Sequence, residues 1–196
     1  MPRVATTSMR SSAWMLQLPG ALLLLLMSWN PSVRAGDASL EYQVKAAFLL
    51  NFLKFVEWPQ DGAQPTKAGA PLVLGVFGDN PFGSELANIC SGKVIDGHPV
   101  QLRFCSTEEE AAACHLVFVG GGRKLAPLLE NLQSKNVLTV GESGDFLRSG
   151  GTIRFVIDDD RVRFEISLAT ADRARLRISA KLLNLARKVY RKGDQP

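Results

Sequence analysis

Apolar residues fall along this chain in two rhythms. In LVLGVF (Leu72–Phe77), HLVFVG (His115–Gly120) and VLTV (Val137–Val140) they form short unbroken runs, as in strands buried on both faces. Gln101–Phe104 reads as a further strand, entered through a turn at DGHP (Asp96–Pro99). Helix signals lie between these runs. Asn80-Pro81 offers an N-cap and an N1 proline for a helix to about Cys90. Thr107 and Glu110 have capping-box spacing, and Arg123–Ser134 has a helical pattern. This alternation predicts a mostly parallel βαβ sheet with right-handed crossovers.

Beyond Gly150 the rhythm changes. GTIRFVIDDDRVRFEIS alternates apolar and polar residues around Asp158-Asp159-Asp160, which predicts an antiparallel hairpin. From Ser167 a helix is expected, with Ile178, Leu182, Leu185 and Val189 on one stripe. At the other end, EYQVKAAFLLNFLKFVEWP (Glu41–Pro59) is a helix whose apolar residues cover more than half of its circumference. It is too polar for a bilayer centre, so it should be wedged between two apolar surfaces, or pack on the sheet and also meet another subunit. Together these elements predict one three-layer α/β domain: a mostly parallel sheet, an antiparallel C-terminal hairpin, and flanking N- and C-terminal helices. Asp61–Ala70 is the loop joining the first helix to the rest.

The first residues stand outside that domain. Arg3 and Arg10 form a basic n-region, Ala21–Trp29 an apolar h-region, and Val33-Arg34-Ala35 a small-residue cleavage site. Residues 1–35 are therefore expected to be a cleaved secretion signal and 36–196 the exported domain, not membrane-spanning after cleavage. Removing them leaves 161 residues with 20 basic and 19 acidic side chains, a net charge of +1. A near-neutral exported chain has no evident nucleic-acid target.

Catalytic groups are sparse. His98 and His115 lack partners at metal-ligand spacing, since the adjacent Cys114 points to the opposite face of a strand. GESGD departs from the nucleophile-elbow pattern, and FVGGGRK matches only half of a dinucleotide loop. No cofactor loop or metal set is legible, and no dependence on divalent metal is expected. The Asp158–Asp160 run reads as a solvated turn. Asp79, Phe82, Gly121 and Arg123 should gather at the carboxyl ends of the strands, where open parallel sheets collect small ligands. A small-molecule sensor using that crevice is one reading. Of three cysteines, Cys90 and Cys114 are expected at the amino-terminal edge of the sheet and Cys105 at the opposite one, which favours a Cys90–Cys114 bridge.

Five stretches occur in the order seen in the YfiR/HmsC family: EYQVKAAFLLNFLKFVEWP, LVLGVFGDNPFG, CHLVFVG, VLTVGESGDF and IRFVIDDDRVRFEISLATADRARLRISAKLLNLAR. The chain resembles that family from about Glu41 to Arg187. The resemblance implies a periplasmic, non-catalytic α/β domain. Such a domain represses a YfiN-type inner-membrane diguanylate cyclase by binding its periplasmic region, and thereby lowers cyclic-di-GMP and biofilm formation. It also implies sequestration by a YfiB-type outer-membrane lipoprotein, homodimers, and stabilising disulfides. Relatives often pair a cysteine of the first strand with that of the CH motif. Here Gly75 stands at the matching position, leaving Cys114 free or re-paired.

The carboxyl-terminal stretch is among the most recognisable in the resembled family. Alternation puts Arg161, Arg163 and Glu165 on one face of the hairpin strand, with Arg175 and Arg177 expected nearby. Arg163, Glu165, Arg175 and Arg177 thus form the expected docking surface, and Glu165→Lys is expected to relieve repression in a folded protein.

Overall fold

Strand runs and helix signals resolve into sixteen elements in the computed structural model, which describes residues 34–61, 69–121 and 125–196, with side chains from Leu40 onward. Residues 1–33 of the expected signal segment, Arg123, and most of the Asp61–Ala70 loop lie outside the described residues, while Arg34 and Ala35 open the first helix. The helices are α1 (Arg34–Phe55), α2 (Glu85–Cys90), α3 (Glu108–Ala112), α4 (Leu125–Ser134), α5 (Leu168–Arg173) and α6 (Ala180–Leu185). The strands are β1 (Val56–Glu57), β2 (Leu72–Gly78), β3 (Val94–Ile95), β4 (His98–Cys105), β5 (Leu116–Gly120), β6 (Leu138–Gly141), β7 (Ile153–Asp158), β8 (Arg161–Ser167), β9 (Arg177–Ile178) and β10 (Lys188–Tyr190).

Among the described residues, one eight-stranded sheet runs in the order β10-β8-β7-β6-β5-β2-β4-β3, and β1 pairs with β9 beside it. Across the sheet, the strands from β7 to β4 are mutually parallel, as the strand–helix alternation predicts. The β7–β8 pair is antiparallel and turns through Asp159 and Asp160, at φ 48° and 54°. Two consecutive left-handed residues make the type I′ turn that suits strand twist, and aspartate tolerates that conformation.

Alternation along the strands splits the core into two layers. Leu72, Leu74 and Val76 of β2, with Leu116 and Phe118 of β5, meet Ala46, Leu49, Phe52 and Leu53 of α1. Val73 and Phe77, with Val117 and Val119, face Ala111 of α3 and Leu128, Leu129 and Leu132 of α4. Helices on both faces of the sheet give the three layers. The first helix is single-sided against the sheet: Gln43, Asn51 and Lys54 stay off the core on its outer surface.

Two local expectations change. The capping box on α3 forms as the spacing predicts, but Asn80 caps a turn instead of a long helix. Its Oδ1 accepts the Phe82 N–H at 3.0 Å and its Nδ2 donates to the Gly83 carbonyl at 3.2 Å. Gly83, at φ 55°, then reverses the chain before α2 begins at Glu85.

The single helix expected after Ser167 is instead helix, strand, helix, strand. Arg175 adopts φ 57° and stops α5, Ser179 caps α6 by accepting the Leu182 N–H, and Ala186 is extended. Ile178 pairs with Val56, and β10 joins the sheet edge beside β8. Leu185, read as part of a buried stripe, is exposed. The four residues of the helical spacing are divided among β9, α6 and β10, with Leu182 and Leu185 sharing α6.

Candidate functional site

An apolar ladder on one face of the β7–β8 hairpin outruns the helix that covers it. Its cross-strand pairs are Ile153–Ile166, Phe155–Phe164 and Ile157–Val162. The first two pairs are buried under α1. The third is not: Ile157 is 53% exposed and Val162 is half-buried. Facing it from the first turns of α1 are Leu40, 61% exposed, and Val44, 37% exposed, with Phe48 at the floor. Between them runs a groove of about 660 Å³, rimmed by Glu41, Asp160 and Arg161. Apolar side chains with a charged rim are the anatomy of a protein contact surface.

A charged cluster adjoins this groove. The Lys45 ammonium is buried, and it donates at 2.5 Å both to Glu41 Oε1 and to Glu142 Oε2. Tyr42 donates its hydroxyl to Glu142 at 3.1 Å, and its ring lies 4.4 Å from Lys45 Nζ. Burial opposes the Lys45 charge, but its hydrogen bonds to Glu142 and Glu41 outweigh that penalty and hold its pKa above the ordinary value. These groups and Arg154 line a cavity of about 500 Å³ between α1 and the β6–β7 strand pair. Among the described residues, no group of three or more His, Cys, Asp or Glu side chains is placed to hold a metal ion.

The four expected docking residues do not form one patch. Glu165 is 1% exposed, because β10 packs beside it and Lys188 is its cross-strand neighbour. Its carboxylate accepts from Arg154 Nη2 at 2.5 Å and from Arg187 Nη1 at 2.6 Å, with the Tyr190 hydroxyl donating at 3.4 Å. Glu165 is thus a buried strut tying β7, β8 and β10, not a surface charge. Arg163 is exposed toward the hairpin tip. Arg175 and Arg177 instead line a groove with Trp58, His98 and Leu72, at the amino-terminal start of β2. Arg175 is held there by Asp61, whose two carboxylate oxygens lie 2.7 and 2.8 Å from Nη2.

At the expected ligand crevice, where Arg123 lies outside the described residues, Asp79 and Gly121 are exposed and the backbones of the two loops approach closely. A Cβ at Gly120 would lie 2.0 Å from the Asp79 carbonyl oxygen, and one at Gly78 would lie 2.3 Å from the Gly120 oxygen. Phe82 is a core residue, edge-on to Phe118 at 4.8 Å and to Tyr42 at 5.5 Å. A cavity at the carboxyl ends opens beside β6, at Tyr42, Lys45 and Glu142, which carry no sequence motif. Their one local signal was the Glu41–Lys45 spacing of four on a helix.

The cysteines also differ from the expected pairing. Cys90 packs in the layer under α1, whereas Cys114 lies in the layer on the opposite face of the sheet. Cys105, expected at the far edge, is the neighbour of Cys114, at an Sγ–Sγ distance of 3.7 Å. All three are buried free thiols.

His115 is a structural histidine. Its Nδ1 accepts the Val73 N–H at 3.1 Å, its carbonyl accepts the Trp58 indole N–H, and its buried Nε2 has no partner. Burial, with a smaller effect of His98, pushes its pKa down from 6.5 to about 4. Between those values the unfolded chain binds a proton that the folded one refuses. Its contribution to stability is therefore complete above pH 6.5 and is lost as pH falls toward 4, by up to about 3 kcal/mol. Denaturant midpoints measured from pH ~7.5 to ~4.5 should fall, and fall less in His115→Gln. An equal fall in both proteins would remove His115 as the source.

A family model described as YfiR/HmsC-like matches residues 42–187. No curated protein matches the chain. Among solved structures, a conserved domain protein from Vibrio cholerae is similar at 9% identity and a TM-score of 0.49, covering 76% of this chain and 60% of that one. The ABC domain in complex with L-Trp from Streptococcus pneumonia is similar at 12% identity and a TM-score of 0.40, covering 60% of this chain and 54% of that one. The chain thus spans less than two thirds of either structure, and likeness at this level carries no functional argument.

Proposed function

The chain belongs to the YfiR/HmsC-like family, and from that premise we propose that it is a periplasmic, non-catalytic repressor whose α1–hairpin groove binds the periplasmic domain of a YfiN-type diguanylate cyclase. Family membership supports a periplasmic regulator of diguanylate cyclase signalling. The observation that favours this groove is the apolar ladder that continues past its cover, leaving Ile157, Leu40 and Val44 exposed together. Apolar side chains of this size are rarely left clustered on a surface without a partner. Binding there keeps the cyclase inactive, and a YfiB-type lipoprotein relieves repression by competing for the chain. Among the described residues no helix is long and apolar enough to cross a membrane.

Calorimetric titration of this protein with the periplasmic domain of a YfiN-type cyclase encoded in the same genome tests the reading. Val44→Glu combined with Ile157→Lys should weaken binding by ~30-fold or more, as loss of a central apolar anchor does, with unchanged circular dichroism. Undiminished binding by the double variant would remove the groove from the interface. If wild type does not bind, the proposed partner is wrong. Sedimentation of wild type and variant together distinguishes a second copy of this chain as the occupant, since only then does the variant dissociate.

A further inference from the structure

Cys105 and Cys114 sit over a gap in the sheet. Cys105 ends β4 and Cys114 lies just before β5, on the two strands that flank β2. Both side chains lean over Gly75, the residue of β2 between them. A Cβ at Gly75 would lie 2.8 Å from Cys114 Sγ and 3.2 Å from Cys105 Sγ, so any larger residue would occupy the space the sulfurs share. The sulfurs are already 3.7 Å apart. Closing to a bond of about 2.05 Å needs side-chain rotation into the space the glycine leaves. The intervening segment carries the α3 capping box, and Cys114 Sγ donates to the Glu110 carbonyl of that helix at 3.3 Å.

We propose that Cys105 and Cys114 are a disulfide-forming pair, oxidised by exchange with an external disulfide, and that the bond clamps β4 to β5 across β2. Cys105 is the more accessible of the two, 7% exposed against 0% for Cys114. Its thiolate attacks the external disulfide, forming a mixed disulfide and releasing one reduced thiol. The Cys114 thiolate then attacks the Cys105 sulfur and expels the second thiol. Two protein thiols lose two protons and two electrons, and the external disulfide is reduced to two thiols. Burial raises both thiol pKa values, that of Cys114 to about 12, so closure is slow near neutrality and quickens with pH. Cys90 takes no part, because it packs on the other face of the sheet.

Incubating the folded protein with oxidised glutathione, then denaturing and alkylating it, tests this directly. The expected product has one alkylatable thiol, at Cys90, and a mass lower by two hydrogens before alkylation. Proteolysis yields a Cys105–Cys114 linked peptide. Its melting temperature rises by roughly 5–10 °C and returns on reduction. Cys90→Ala should oxidise as wild type does. Retention of three alkylatable thiols, a persistent glutathione adduct on Cys105, or a bridge to Cys90 would each overturn the assignment. Because wild type supplies every one of these readouts, the test does not depend on a cysteine variant folding.

Discussion

Glu165→Ala is expected to cost about 2–4 kcal/mol of stability, because it strips the partly buried Arg154 of its counter-charge. Glu165 is 1% exposed and Arg154 17% exposed, and their 2.5 Å ion pair sits between β7 and β8. The Arg154 guanidinium also donates to the Gly144 carbonyl, which fixes it in place when the carboxylate is removed. Glu165→Lys should be worse, since it sets a third cation beside Arg154 and Arg187. A surface reading of Glu165 predicts a folded Lys variant; the buried strut predicts an unfolded or aggregated one. Replacing Arg154 and Glu165 together by apolar residues of similar size should recover much of the loss. Guanidinium unfolding of the single and double variants measures all three. A shift below about 1 kcal/mol for Glu165→Ala would show that the carboxylate is solvated after all.

Phe52→Ala should cost about 3–5 kcal/mol, by opening a cavity between α1 and the hairpin. The Phe52 ring is 0% exposed. It stacks on Phe155 at 5.7 Å and meets Phe164 edge-on at 5.1 Å, with Phe48 at 6.1 Å along the helix. These contacts join the first helix to strands about a hundred residues later in the chain, so their loss loosens α1 as a unit. Two turns earlier, Val44→Ala should change stability by less than about 0.5 kcal/mol, because that side chain already faces solvent. The pair of variants therefore separates a folding position from a binding position on one helix. Equal denaturant midpoints for both would contradict the burial that distinguishes them.

The sheet is legible in the amino-acid sequence because its signals are local. An unbroken apolar run such as LVFVG has no polar residue to give to water, so it is a strand covered on both sides, and β5 is buried at every position. Alternation around the three aspartates specifies the hairpin for a similar reason. Asp159 and Asp160 tolerate the left-handed turn, and the flanking residues sort by face. The site is less legible. Period-two alternation correctly puts Arg163 and Glu165 on one face of β8, but it carries no information about what lies beside that face. There β10 arrives and brings Arg187 from 22 residues away to the Glu165 carboxylate.

The C-terminal segment shows how a true period can mislead. Ile178, Leu182 and Val189 are spaced as on a helix, yet they belong to three different elements, β9, α6 and β10. The breaks are set by Ser179 as a cap and by pairing of β9 with β1, a partner more than a hundred residues earlier. From the sequence alone come the strand runs, the α3 capping box, the hairpin turn and the α/β class, each governed by sterics and hydrogen bonds within a few residues. Tertiary structure decides the burial of Glu165, the close backbone approach at Gly78 and Gly120, the Cys105–Cys114 approach over Gly75, and the groove where the hairpin ladder outruns α1. Each of these depends on which distant segment fills the neighbouring space, and packing between segments far apart in the chain leaves no periodicity in either one.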